Sequence, residues 1–74
     1  MRKNEKFEGV AFAIETHQTS WGDWISWAEI NDQPTGKRVV HEKSVTGYIL
    51  DFLDEQEAIA SARRAAHNAI NEYR

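Results

Sequence analysis

Three tryptophans stand out among the side chains that could bind or react with another molecule. Trp21, Trp24 and Trp27 fall within TSWGDWISWAEI, residues 19–30, and are the only tryptophans of the 74-residue chain. An indole can fill a core or contact a partner, because it joins a large apolar surface to one N–H donor. The pattern of the residues around the three indoles decides between these two uses.

The other reactive side chains form no catalytic or metal-binding motif. His17, His41 and His67 are too far apart for the short ligand pairs of zinc sites, and the chain has no cysteine. TGKR at 35–38 lacks the leading glycine of a phosphate-binding loop, and no serine stands in a nucleophile motif. We therefore expect a protein that is not an enzyme, with no catalytic residues, no metal ligands and no cofactor.

Two segments alternate between apolar and polar residues, which is typical of strands with one buried face. In FEGVAFAIETH the large apolar residues Val10, Phe12 and Ile14 share one face. In DWISWAEI the alternation places Trp24 on one face and Trp27 on the other. We predict that Trp24 lies in the core and that Trp27 lies on an open face, unless the long loop or the N-terminal arm covers it. Trp21 occupies the turn between the strands and could cap either face.

The segment after the second strand predicts a loop and further strand structure. NDQPTG, residues 31–36, contains the only proline and a glycine, which is typical of a loop. KRVVHEKSVTGYILDF, residues 37–52, is longer than an ordinary strand of about five or six residues. It predicts either one strand with a bulge or two short strands, with Tyr48, Leu50 and Phe52 on one side of its second half.

The carboxyl-terminal segment predicts a helix. Asp54 is a favourable N-cap residue, and Glu57 follows three positions later as in a capping box. Small and apolar residues recur at three- and four-residue spacing and predict one buried face: Ile59, Ala62, Ala66, Ala69, Ile70 and Tyr73, widened by Ala58 and Ala65. Small side chains allow a helix axis to lie close to the sheet that covers it.

These elements predict one small α+β domain. The domain consists of a three-stranded antiparallel sheet that packs on one C-terminal α-helix. A short fourth strand would add to this sheet. MRKNEK, residues 1–6, is charged and is predicted to be a flexible N-terminal arm. Residues 7–74 are then a single βββα domain.

The segments WGDWISWAEI and GYILDFLDEQEAIASARRAA, joined by a glycine-containing loop, resemble two kinds of DNA-binding domain. One is the ethylene-response-factor type of plants, and the other is the amino-terminal domain of some phage and transposon integrases. Small stand-alone bacterial proteins of unknown function are similar as well. The resemblance covers residues 7–73 and implies that Trp24 and Phe52 lie in the core, while Asp54 and Glu57 cap the helix.

The candidate interaction face departs from those domains at the positions that should bind DNA. The DNA-binding relatives carry arginines and tryptophans on the sheet face opposite the helix, whereas the predicted open face here carries carboxylates, which repel phosphates. The whole chain has 12 acidic and 9 basic side chains. The candidate face consists of Ala11, Ala13, Glu15, Ile25, Trp27 and Glu29. We predict that it, or an exposed strand edge, binds a protein partner or a second copy of the chain.

Two other classes of function stay open. A basic stripe on the helix could bind nucleic acid, although the net charge of −3 disfavours this. The candidate stripe consists of Arg63, Arg64, His67 and Arg74. Alternatively, Glu15, Asp23 and Glu29 could bind a basic groove, as a phage-encoded inhibitor of a nucleic-acid-binding machine would do.

The sequence pattern also bears on location. MRKNEKFEGV lacks the apolar run of about 7–15 residues that a signal peptide needs. No run approaches the roughly 18 apolar residues that suggest a membrane span. We therefore expect a cytoplasmic protein that has no membrane partner.

Overall fold

The computed structural model of the protein describes residues 1–32, 36–47 and 50–72. The elements are β1 (Arg2–Phe7), β2 (Val10–Gln18), β3 (Trp24–Asp32), β4 (Gly36–Val40) and α1 (Glu55–Glu72). The strands form one antiparallel sheet in the order β1-β2-β3-β4. Because α1 packs against one face of this sheet, the predicted α+β class with one C-terminal helix is confirmed.

Strands β2 and β3 supply most of the sheet's contribution to the core. Phe12 pairs with Ile30, and Ile14 pairs with Ala28, so these four side chains lie together on the face that α1 covers. The core cluster consists of Phe12, Ile14, Ala28, Ile30, Ile59, Ala62, Ala66, Ala69 and Ile70. The alternation in the sequence therefore predicts the buried face of both strands correctly.

Helix α1 begins at a side-chain cap and buries an alanine-rich face. The backbone N–H of Glu57 donates to Asp54 Oδ1 at 2.9 Å, which satisfies one of the free amides at the helix start. The predicted stripe is buried from Ala58 to Ile70, whereas Tyr73 lies outside the described residues. Within the described ranges, no helix is long and apolar enough to cross a membrane.

The first six residues are an edge strand, so the prediction of a flexible arm over 1–6 is wrong. Phe7 pairs with Val10, which leaves a two-residue turn in which Glu8 and Gly9 have φ of 50° and 83°. Two positive φ values match the type I′ turn, whose twist suits a hairpin. The fourth strand of the sheet is thus added before the predicted first strand, and the order is ββββα.

The predicted strand structure over residues 37–52 is only partly correct. Its first part is β4, which ends at Val40. Phe52 forms an isolated bridge with Trp24, whose two N–H···O bonds both measure 2.8 Å. Leu50 lies outside the strands, and Tyr48 lies outside the described residues. Among the described positions of this segment, the regular structure is therefore one short strand.

A candidate protein-binding face on the sheet

The six candidate interaction residues lie on the sheet face opposite α1. The register pairs Glu15 with Trp27 and Ala13 with Glu29, and it pairs Ala11 with Lys6 at the β1 edge. Ile25, the sixth, lies two residues before Trp27 on the same face of β3. Ala13 is only 4% exposed, so its neighbours cover it and it forms the floor of the face rather than a contact point.

A network of ion pairs crosses the middle of this face. Arg2 Nη1 lies 3.5 Å from Glu15 Oε1 and 3.0 Å from Glu29 Oε1. Lys37 Nζ lies 3.1 Å from the same oxygen of Glu29, and Trp27 Nε1 donates to Glu29 Oε2 at 3.3 Å. Hydrogen bonds from Arg2 above all, and then from Lys37 and Trp27, lower the pKa of Glu29 from 4.5 to about 2.

These ion pairs correct the picture of an acidic open face. Arg2 lies against both Glu15 and Glu29, and Lys37 lies against Glu29. Asp23 precedes β3 and belongs to the hairpin turn rather than to the face. Because β1 was predicted to be an arm, its arginine was not placed on the sheet. The open face is therefore close to neutral, and an inhibitor that presents Glu15 and Glu29 to a basic groove loses its support.

Acid should remove the contribution that Glu29 makes to stability. Because its pKa is lowered from 4.5 to about 2, the carboxylate stabilises the fold above pH 4.5, and this contribution is lost as the pH falls from 4.5 to about 2. We expect the thermal unfolding midpoint to fall less steeply with pH in Glu29→Gln than in the wild type. Asp51→Asn, which removes an exposed carboxylate, is the control and should keep the wild-type slope. Equal slopes in all three proteins would contradict the network.

An apolar pocket opens beside the ion pairs. Ile25, Trp27, Val39 and His41, together with Ser26, line a pocket of about 230 Å³. Val39 is 57% exposed, so the pocket is accessible from the open face. This pocket is the part of the face that can receive an apolar group from a partner.

Two of the residues that line the pocket were missed by sequence reasoning. Val39 pairs with Glu29, so β4 continues the alternation of β3 and turns Val39 to the open face. His41 follows two residues later and lies beside Trp27 in the pocket. The alternation in KRVVH was the available signal. However, the register of β4 against β3 depends on the conformation of the loop between them, which the sequence does not determine.

The three tryptophans occupy three different environments. Trp21 lies in the hairpin turn and is 90% exposed. Trp24 shares the helix-facing side of β3 but is half-buried and lies outside the core cluster, so its prediction as a core residue is only partly correct. Trp27 is half-buried on the open face, where the ring of His17 stacks on it with a centroid distance of 5.1 Å and an interplanar angle of 4°.

The arginines of the predicted basic stripe point to opposite flanks of the helix and form ion pairs. Arg63 donates two hydrogen bonds to the carboxylate of Glu5 in β1, at 2.9 and 2.6 Å. Arg64 donates two to Glu42, which follows β4, both at 3.1 Å. These bonds lower the pKa of both carboxylates. The two arginines therefore connect α1 to β1 on one side and to the segment after β4 on the other.

The other half of the stripe does not extend this positive surface. The ring of His67 stacks on Phe7 at a centroid distance of 4.0 Å and meets Phe12 edge-on at 5.8 Å. Arg74 lies outside the described residues. The structure thus brings Arg63 and His67 into contact with the sheet, and Arg64 into contact with the segment after β4.

Comparison with known proteins does not assign this chain to a family. No family model, curated protein or solved structure matches the chain. The resemblance to DNA-binding domains of the ethylene-response-factor and integrase types therefore stays a prediction.

Proposed function

We propose that this protein is a non-catalytic interaction module, which binds a partner protein or a second copy of itself through the open face of its sheet. The observation that carries the proposal is the apolar pocket around Trp27, which opens on the face that α1 leaves uncovered. Protein interfaces commonly join an apolar centre with aromatic residues to a polar rim. Here the pocket would be that apolar centre, and the ion pairs around Glu29, which lie beside it, would be part of the rim.

The size of the pocket favours a protein side chain as its occupant. Its volume of about 230 Å³ is below the roughly 300–1,000 Å³ that is usual for small-molecule sites. A single apolar side chain on a partner surface needs less room, and the sheet around the pocket can contact the rest of that surface. Binding of a protein accounts for both features.

The rigidity of Trp27 supports the same proposal. His17 stacks on one side of the indole, and Glu29 accepts a hydrogen bond from its Nε1. A side chain that is already held in place loses less conformational entropy on binding. Trp27 is therefore suited to act as the central contact of an interface, where tryptophan is enriched among energetically dominant residues.

A second candidate is single-stranded nucleic acid on the same face. The stacked rings of His17 and Trp27 resemble in kind the aromatic platforms on which bases stack. However, Arg2 and Lys37 already lie against Glu29, so they would have to leave that carboxylate to neutralise phosphates. The helix stripe is no better placed, because Arg63 and Arg64 are held in two-bond ion pairs.

The proposal predicts that a charge at Val39 strongly weakens binding. In Val39→Asp a carboxylate enters the apolar pocket, and we expect the affinity to fall about 30-fold or more, as at a dominant interface residue. Val45→Asp is the matched control, because Val45 is fully exposed and does not line the pocket. Circular dichroism and thermal unfolding establish that both variants are folded.

Two measurements read out this binding. Sedimentation equilibrium detects self-association, and affinity capture from the native lysate followed by titration detects a different protein. A complex formed by the wild type and Val45→Asp, but lost in Val39→Asp, supports the proposal. Protein binding should change little with salt, whereas nucleic-acid affinity falls about 10³–10⁵-fold between roughly 50 and 200 mM salt when 6–10 phosphates are contacted. A monomer whose captured proteins do not depend on Val39 would contradict the proposal.

A further inference from the structure

A second exposed apolar surface lies at the end of the sheet where β2 meets β3. We call it the hairpin pole and define it as the turn at 19–23 together with the segment at 50–57. Trp21 is 90% exposed and Leu53 is 86% exposed, more than the 57% of Val39 on the open face. Large apolar side chains that are exposed together commonly mark interaction sites, whereas single ones do not.

Backbone hydrogen bonds hold the two chain segments that carry these apolar side chains. The turn is closed by bonds from Thr19 N to Asp23 O at 2.7 Å and from Gly22 N to Thr19 O at 3.0 Å. Leu53 follows Phe52, which is bonded to Trp24 in both directions at 2.8 Å. The backbone of the pole is therefore ordered before a partner binds, which lowers the entropic cost of binding.

The same contacts place the turn and the second segment side by side. Phe52 bridges Trp24 in antiparallel orientation, so the chain continues from Phe52 to Leu53 as it runs back from Trp24 to the hairpin turn. The start of α1 is fixed nearby, because Thr16 Oγ1 in β2 donates to Glu55 Oε2 at 2.8 Å. Trp21 and Leu53 consequently belong to one end of the domain.

The charges of the hairpin pole all have one sign. Neither the turn at 19–23 nor the segment at 50–57 contains a lysine or an arginine. Its carboxylates are Asp23, Asp51, Asp54, Glu55 and Glu57. Among the described residues none of these five takes part in an ion pair, whereas the carboxylates of the open face and of the helix flanks do. Asp54 Oδ1 accepts the cap bond of α1 and Glu55 Oε2 accepts a bond from Thr16, but neither bond neutralises a carboxylate, so the pole keeps a negative charge.

We propose that the hairpin pole is a docking surface for a basic, amphipathic segment of another protein. Trp21 and Leu53 would pack against the apolar side chains of that segment, and the surrounding carboxylates would pair with its lysines and arginines. Charge complementarity selects this occupant, because nucleic acids and anionic lipid surfaces would be repelled. The surface is separate from the pocket around Trp27, so this inference does not depend on the proposed function of the open face.

Isothermal titration calorimetry with two synthetic peptides tests the proposal. One peptide combines leucine with lysine in an amphipathic helical pattern, and its matched partner carries glutamate in place of every lysine. We expect the wild type to bind the lysine peptide at least about tenfold more tightly than the glutamate peptide. Trp21→Ser and Leu53→Ser should each weaken binding about tenfold, the change that corresponds to roughly 1.4 kcal/mol.

Two control variants separate the pole from other surfaces. Val45→Ser removes a fully exposed apolar side chain outside the pole, and Val39→Asp alters only the pocket of the open face. Both should bind the lysine peptide as the wild type does. Because Trp21 and Leu53 are exposed, their substitution should leave the thermal unfolding midpoint unchanged, and this is measured for every variant.

Several results would overturn the proposal. Failure of the wild type to bind the lysine peptide, equal binding of both peptides, or equal weakening by Val45→Ser would each do so. A wild-type dimer that Trp21→Ser dissociates would show that a second copy occupies the pole. Tighter binding of a single-stranded oligonucleotide or of anionic phospholipid vesicles than of the lysine peptide would assign the surface to a different class of partner.

Discussion

Replacement of Ile14 by alanine is expected to lower the free energy of unfolding by about 2–5 kcal/mol. Ile14 is 0% exposed and lies in the centre of the sheet, paired with Ala28 on β3 and Lys3 on β1. Truncation removes three buried carbons and leaves a cavity beneath α1. A domain of 74 residues has a total stability of about 4–11 kcal/mol, so this one change removes a large part of it.

The matched control is the same substitution on the other face of the sheet. Ile25→Ala changes a half-buried side chain of the open face, and we expect a loss of no more than about 1.5 kcal/mol. Urea unfolding followed by tryptophan fluorescence measures both variants. Because Ile25 lines the pocket, its truncation should instead weaken binding of the partner. If Ile25→Ala were as destabilising as Ile14→Ala, the open face would belong to the core and could not be a binding face.

The sequence correctly predicts the elements that have a regular pattern of apolar residues of their own. Alternation depends only on which residues are apolar, so Phe12 and Ile14 of β2 are correctly assigned to the buried face. The helix is equally predictable from the sequence, because its cap at Asp54 and its alanine stripe are local signals. In both cases the physical cause lies within a few residues of the element itself.

The edge strand β1 could not be predicted in this way, because what holds it is far away in the chain. Glu5 binds Arg63 at a separation of 58 residues, and Arg2 binds Glu29 at a separation of 27. Read alone, MRKNEK is a charged segment without an apolar pattern. Its one local signal is the two-residue turn at Glu8 and Gly9, and glutamate is not among the residues that commonly occupy such a turn.

The candidate site was predicted in part for the same reason. Alternation places Ile25 and Trp27 on one face, but Val39 and His41 join them through the pairing of β4 with β3. The sequence indicates an acidic face, whereas the face is close to neutral. Arg2 falls in the predicted arm, and Lys37 falls in a strand segment whose pairing partner is not predicted. A binding site that several strands build therefore needs the register of all of them, whereas the sequence indicates only which residues of β2 and β3 share a face.

Enlargement of the alanine stripe tests how closely α1 and the sheet approach each other. Ala66 is buried within the core cluster with Phe12 and Ile14, so the additional carbons of Ala66→Leu have no space unless the helix moves away from the sheet. We expect a loss of about 1–3 kcal/mol, the usual cost of overpacking a core. Leucine is nearly as good a helix former as alanine, so helix propensity contributes little to this loss.

Ala60→Leu is the control for this change, because Ala60 is only partly buried and a leucine there can extend toward solvent. Urea unfolding should give Ala60→Leu nearly wild-type stability, and near-ultraviolet circular dichroism should show altered aromatic packing only in Ala66→Leu. If both variants were equally stable, the helix would lie farther from the sheet than its buried alanines indicate. Close packing of small side chains would then not explain why α1 lies on this face of the sheet and leaves the face around Trp27 uncovered.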